Sequence, residues 1–135
     1  MVATSHTGIL TTLRRDGNPI ALPVWHVVDD ERIYVRTPSR SKKVARVQHD
    51  DRGSFLVEAG EAWVELTAVV VPVRAEIVHD ADEIARTGEL HDAKYQAFMK
   101  PASEMPESAR RAYAGMTVIR LEPTGKLLTW NNAAL

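Results

Sequence analysis

The sequence predicts an α+β chain, mainly β, whose antiparallel strands curl into a barrel beside a few short helices. Three observations predict it. Short runs rich in Val, Ile, Leu and Thr recur between tight-turn signals. Helical spacing interrupts this pattern only briefly, after Ser41 and again after Asp80. The longest strand-like run, residues 65–79, passes from two apolar faces to one, as a strand does on turning round a curved barrel.

Residues 8–13 read as the first strand, rich in Ile, Leu and Thr. Asp16-Gly17 is a hairpin-type turn, because glycine accepts the positive φ such turns need. Residues 19–28 read as the second strand and 33–37 as the third, with Asp29-Asp30-Glu31 turning between them. Leu22, Val24, His26 and Val28 face one way, and Ala21, Pro23, Trp25 and Val27 the other. Pro38 and Ser39 break the pattern, and Ser41 can cap a helix that begins Lys42-Lys43 and ends near residue 49 or 50. Val44 and Val47 give that helix its apolar side.

Residues 54–58 form a fourth strand and 65–79 a long fifth. In the fifth, Val69, Val71, Val73, Ala75 and Ile77 share one face. The other face is apolar at Leu66, Ala68 and Val70 and charged at Arg74 and Glu76. Pro72 fits there only at an edge or bulge. Asp80 followed by Glu83 predicts a capping-box start to a helix over 81–99, with Gly88 as a point of interruption and Tyr95, Phe98 and Met99 on its core side. Pro101 and Pro106 flank a loop, and 107–114 is a short helix stopped by Gly115. Residues 117–121 and 126–130 are the closing strands, with 123–125 as their turn.

The length of 135 residues predicts a single domain able to bury a core without staples. With no cysteine, disulfides, thiolate metal sites and cysteine nucleophiles are excluded. A formal net charge of −1 argues against a general nucleic-acid binder. No apolar run is long enough to span a bilayer and no signal peptide is evident, so the expectation is a soluble cytoplasmic protein without nucleic-acid or membrane partners. HExxH, GxSxG, GxGxxG and P-loop patterns are absent, and no metal site is expected.

The chemistry-bearing segment is 32–46. It holds Arg32, Arg36, Arg40, Lys42, Lys43 and Arg46 and no acidic residue. A helix start offers free N–H groups and partial positive charge, and a serine hydroxyl with two ammonium groups completes a phosphate site. A solvated basic helix face with a serine cap is the equal alternative. On the second strand, Pro23 lacks a ladder donor and frees flanking main chain for a partner such as a flat heterocycle. Trp25 reads as core, or as the wall of a ring pocket. His26 reads as a satisfied, partly buried histidine, with proton donation into a pocket as the alternative. His79-Asp80 and His91-Asp92 read as surface pairs. Trp63 and Glu65 either border a pocket, or Trp63 packs beneath the loop at 59–62.

Residues 8–19 (GILTTLRRDGNP), 23–26 (PVWH), 33–38 (IYVRTP) and 41–50 (SKKVARVQHD) together resemble the flavin- and deazaflavin-dependent oxidoreductase branch of the pyridoxamine-phosphate-oxidase-like split β-barrels. The order and spacing agree from residue 8 to about 78, and the closing strands agree more loosely. The resemblance implies an FMN-binding-type split barrel and a homodimer with the cofactor at its interface. It implies that Thr37, Ser41, Lys42 and Lys43 hold the cofactor phosphate, Lys43 above all. Pro23, Val24 and Trp25 would lie along the ring, and Trp130 with Asn131 would reach it from the partner subunit. Coenzyme F420 and FMN are both compatible. The oligoglutamate tail of F420 would reward the cations Arg36, Arg40 and Arg46, and Arg14 or Arg15 across the hairpin, so F420 is expected first. The activity implied is hydride transfer between the cofactor and a small organic acceptor, with no catalytic side chain required. A non-catalytic flavin-binding or flavin-sensing module, and a barrel with a decayed site, are the readings of other classes.

Overall fold

The computed structural model describes residues 1–99, 106–108 and 115–135. Among these, eight strands form one antiparallel sheet: β1 (Gly8–Leu13), β2 (Pro19–Val24), β3 (Val27–Asp29), β4 (Arg32–Pro38), β5 (Arg52–Ala59), β6 (Thr67–Ile77), β7 (Met116–Pro123) and β8 (Leu128–Asn131). Helix α1 (Lys42–His49) follows β4, and α2 (Ala81–Tyr95) follows β6. The strand order is β2-β1-β5-β6-β7-β4-β3, with β8 on β6. Its two end strands, β2 and β3, are consecutive in the chain and joined only by Trp25 and His26. The sheet therefore curls until its edges meet at that corner without pairing there, which is a split barrel.

Local chemistry sets the turns. Gly17 has φ +86°, and the Asp16 carboxylate accepts the Asn18 N–H at 2.9 Å. Asp30 and Glu31 both take positive φ, giving the two-residue turn from β3 to β4. Asp80 caps α2 by accepting the Glu83 N–H at 3.3 Å. The reciprocal half of the capping box is missing, because the Glu83 carboxylate is engaged by Tyr34 and Arg120 instead. Gly88 does not interrupt α2, which runs on through Tyr95 into a 3₁₀ turn, Gln96–Phe98.

Inside the barrel lie Leu10, Val24, Ile33, Val35, Phe55, Val57, Val71, Val73, Ala75, Ile119 and Leu121, closed over by Val44 and Val47 of α1. The expected alternation along 22–28 holds through the strand break: His26 turns inward against the Phe55 ring, while Trp25 packs with Val27, Tyr34 and Tyr95 in a second cluster outside the sheet. The Gly8 backbone lies so close to Phe55 that a Cβ there would stand 2.0 Å from the ring.

Several expectations are corrected. β7 and β8 do not form a hairpin. They lie end to end along one side of β6, β8 opposite Thr67–Val70 and β7 opposite Val73–Ile77. Pro72 sits where the neighbour changes, and its carbonyl accepts the Thr124 N–H at 2.9 Å. A missing N–H is tolerated there because the ladder is already broken. The buried face of α2 is Glu83, Thr87, His91 and Tyr95, so His91 is buried rather than at the surface, and Phe98 and Met99 are exposed rather than core. Trp63 is 66 % exposed in a 3₁₀ turn, Trp63–Glu65, and so does not pack beneath the preceding loop. Glu65 instead accepts the Glu61 and Ala62 N–H groups. The helix expected at 107–114 falls mostly outside the described residues. No helix among the described residues is long and apolar enough to cross a membrane.

Candidate cofactor site

The start of α1 is built by the junction of β4 and β7. Thr37 and Thr117 are cross-strand partners at the barrel end. Thr117 donates to the Ser39 hydroxyl at 2.7 Å, and Thr37 to the Ser41 hydroxyl at 3.3 Å. The Ser39 N–H reaches the Gly115 carbonyl, and the Ser41 N–H the Pro38 carbonyl, both at 2.9 Å. The turn that launches α1 is thus fixed from two sides. Because Ser41 accepts from Thr37, its own hydroxyl proton is left for another acceptor.

Ser41 occupies the N-cap position with extended φ and ψ, yet makes no side-chain cap bond. The first turn carries no acidic residue either. The free N–H groups of the helix start are therefore met only by Lys42 and Lys43, whose charges oppose the helix dipole. Lys42 is exposed, and Lys43 is half-buried. Burial, and then the neighbouring Arg46, push the Lys43 ammonium below its usual pKa. Arg46 lies one turn on and donates Nε to the buried Thr12 hydroxyl at 2.8 Å, which pins its guanidinium beside β1. Burial and nearby Arg14 lower its pKa as well. An anion would relieve every one of these tensions, so the residues fit a phosphate group.

The rest of the basic segment divides. Arg40 is exposed, and among the described residues it has no ion pair; the same holds for Arg14, Arg15 and Lys42. Arg32 is held by Glu122 at 2.6 Å, and Arg36 by Asp92 of α2 at 2.7 Å. Arg36 is thus tied to α2 and is not the free cation expected for a cofactor tail.

The edge strand β2 supplies the second part. The Arg14 N–H bonds the Asn18 carbonyl at 2.9 Å, which fixes the phase of the β1–β2 ladder. The main-chain groups of Ile20, Leu22 and Val24 therefore point to β1, and those of Pro19, Ala21 and Pro23 point out of the sheet. Pro23 is exposed, and Val24 is buried in the barrel core. Trp25 stacks on Tyr95 with ring centres 4.4 Å apart and planes 4° from parallel. The Trp25 indole is core packing, so only main chain remains at this edge for a ligand.

Trp130 lies on β8 opposite Ala68, 51 % exposed, with its N–H on the Asn132 side-chain oxygen. No hydrogen bond or ring contact joins it to Lys43 or Pro23 within the chain. It borders an apolar row that crosses five strands, Pro23, Ile9, Leu56, Val70 and Leu128, on the sheet's outer face. Helix α2 packs on β3 and β4, and α1 on the barrel interior, so neither covers this row.

His26 is fully buried. Its Nε2 lies 2.7 Å from the Val2 carbonyl, which can only accept, so Nε2 carries the proton. Nδ1 is then an acceptor with no partner. Among the described residues nothing opens His26 to a ligand, and its burial and bond to Val2 fit a structural histidine. Residue reading missed the grip of Lys94 and Tyr95 on this corner, described below, because it depends on partners 68 and 69 positions away.

Residues 1–125 match the pyridoxamine 5'-phosphate oxidase family. The chain belongs to that family. Its split barrel is the family's flavin-binding fold. A conserved hypothetical protein of Mycobacterium tuberculosis is 25 % identical, with a TM-score of 0.75 over 97 % of this chain and 80 % of that one. A FAD-binding protein of Mesorhizobium loti shares the fold at 17 % identity and a TM-score of 0.72, over 95 % and 87 % of the two chains. A heme-binding protein of Mycobacterium smegmatis does so at 19 % and 0.69, over 98 % and 57 %. No curated protein matches.

Proposed function

We propose that this pyridoxamine 5'-phosphate oxidase family member is an oxidoreductase holding a phosphorylated flavin or deazaflavin at a homodimer interface. The observation that carries the reading is the start of α1: uncapped, free of acid and loaded with Lys42 and Lys43. A helix built only for stability would carry the opposite charges there. Ser41, Lys42, Lys43 and Thr37 would hold the phosphate. The outward main chain of Pro23 and its neighbours would meet the polar edge of the ring. The bound cofactor would supply hydride transfer to a small organic acceptor.

Coenzyme F420 is the cofactor proposed first, because Arg14, Arg15 and Arg40 are exposed and have no ion pair among the described residues, as an anionic tail would require. FMN is the second reading, favoured by the tie between Arg36 and Asp92, which removes one cation from any tail site. The row from Pro23 to Leu128, which neither α1 nor α2 covers, is the surface proposed for the second copy, and it would bring that copy's Trp130 toward the ring.

The test is titration of cofactor-free protein with F420 and with FMN, followed by calorimetry, for wild type and Lys43→Ala. Loss of affinity by about tenfold or more in the variant is expected, as for removal of one charge-assisted phosphate contact. Equal affinity of the two proteins, or no binding of either cofactor at micromolar concentration, would overturn the reading.

A further inference from the structure

The corner between β2 and β3 poses a problem in backbone chemistry. His26 is fully buried, but it lies outside both strands, so its N–H and C=O have no ladder partner. Unmet, each would destabilise the fold as much as a lost hydrogen bond. The end of α2 meets them. The Tyr95 hydroxyl accepts the His26 N–H at 2.9 Å. Lys94 Nζ donates to the His26 carbonyl at 2.9 Å, to Ser5 at 2.7 Å and to Ala3 at 3.4 Å. With the His26 carbonyl held by Lys94, the single hydroxyl proton of Tyr95 goes to the His6 carbonyl at 2.7 Å. The ring of Tyr95 meanwhile stacks on Trp25, and His6 sets its edge against Trp25, Tyr95 and Phe98.

From this geometry we infer that Lys94 and Tyr95 are positioning residues for the proposed cofactor: they fix the Trp25–His26 corner, and through it the outward main chain at Pro23 that is to face the ring. The inference rests on the proposed function and assigns these two side chains a part in it. Neither touches the phosphate site, and neither is a catalytic residue. The sheet stays split at this corner because side chains from α2, not a neighbouring strand, satisfy His26. The N-terminal residues Ala3, Ser5 and His6 are drawn into the same clamp, so the corner is held from both sides.

The test compares wild type, Tyr95→Phe, Lys94→Met and Lys43→Ala. Tyr95→Phe keeps the stacking on Trp25 and removes only the hydroxyl. Lys94→Met keeps the stem and removes the donors, which guards against one variant failing to fold. Three quantities are read: melting temperature without cofactor, amide exchange at His26, and the affinity and visible absorption spectrum of bound F420 or FMN. The expected result is faster His26 exchange, about tenfold weaker binding and a displaced absorption band in both corner variants, as for loss of a buried hydrogen bond. Lys43→Ala should weaken binding without changing His26 exchange. Wild-type affinity and spectrum in both corner variants, beside weakened Lys43→Ala, would overturn the positioning role alone. Absence of cofactor binding to wild type would overturn it together with the proposed function.

Discussion

Arg120 clasps Glu83 with a single nitrogen: its Nη1 stands 2.8 and 2.9 Å from the two carboxylate oxygens. Tyr34 donates to the same carboxylate at 2.6 Å, and Arg120 Nη2 reaches Glu76 at 2.7 Å. The Tyr34 bond first, and Arg120 second, hold the Glu83 carboxyl below its ordinary pKa against the opposing effect of burial. This network joins α2 to β4, β6 and β7.

Removing Arg120 leaves a buried carboxylate with one partner. Arg120→Met is expected to lower stability by about 2 kcal/mol, measured by urea unfolding at pH 7. Glu83→Gln, which retains a group able to accept from Tyr34, should lose less.

His91 predicts a specific pH dependence. It is buried between α2 and the sheet, beside Val27, Tyr34 and Val118, and burial first, then the charge of Arg36, depress its pKa to about 4. Asp92 opposes this and Lys94 adds to it. The unfolded chain takes up a proton near pH 6.5 that the folded chain refuses, so this contribution is complete above pH 6.5 and is lost as pH falls towards 4. Burial moves His26 in the same direction. Wild type should lose roughly 3 kcal/mol over that window through His91. His91→Gln should show a visibly flatter loss between pH 6.5 and 4.5, above the range where Glu76 and Glu83 titrate.

The lysines at the start of α1 predict a trade between stability and binding. Lys42→Glu places a favourable charge at the helix N-terminus and should stabilise the cofactor-free protein by about 0.5 kcal/mol in thermal unfolding. The same change should weaken cofactor affinity more than Lys42→Ala does. A variant both less stable and unchanged in binding would contradict the role given to this helix.

The apolar row on the outer face predicts an oligomer. Leu56→Lys, at the centre of that row, should convert the proposed dimer to a monomer in sedimentation experiments while leaving the circular dichroism spectrum unchanged. If the proposed interface carries the site, cofactor affinity should fall with dissociation, because the second copy's Trp130 would then be lost from it.

Sequence patterning located most strands because turn chemistry punctuates them, but the expected second strand, 19–28, is two, β2 and β3, broken at Trp25-His26, where no turn residue marks the corner. Asp16-Gly17 and Asp30-Glu31 turn where expected, and β1 has the expected ends. The inward face of β6 was legible as alternation, since Val69, Val71, Val73, Ala75 and Ile77 border one core. The long-range choices were not. That β8 joins β6 rather than β7 depends on which edge is vacant, and no local signal reports it. The buried face of α2 is polar at Glu83, Thr87 and His91, so hydrophobic spacing found only Tyr95 of that face, while Phe98 and Met99 are exposed. At the candidate site, the helix start was legible because missing acids and a leading serine are local facts. The tie of Arg36 to Asp92, 56 positions away, was not.

The outward edge of β2 has one more consequence. Pro19, Ala21 and Pro23 present their main chains to the open side, so only Ala21 offers an N–H there. A strand from another chain seeking to extend the sheet would find acceptors and almost no donors. The two prolines guard the barrel's exposed seam against runaway strand addition, while carbonyl groups along it stay open to a flat molecule that brings its own N–H.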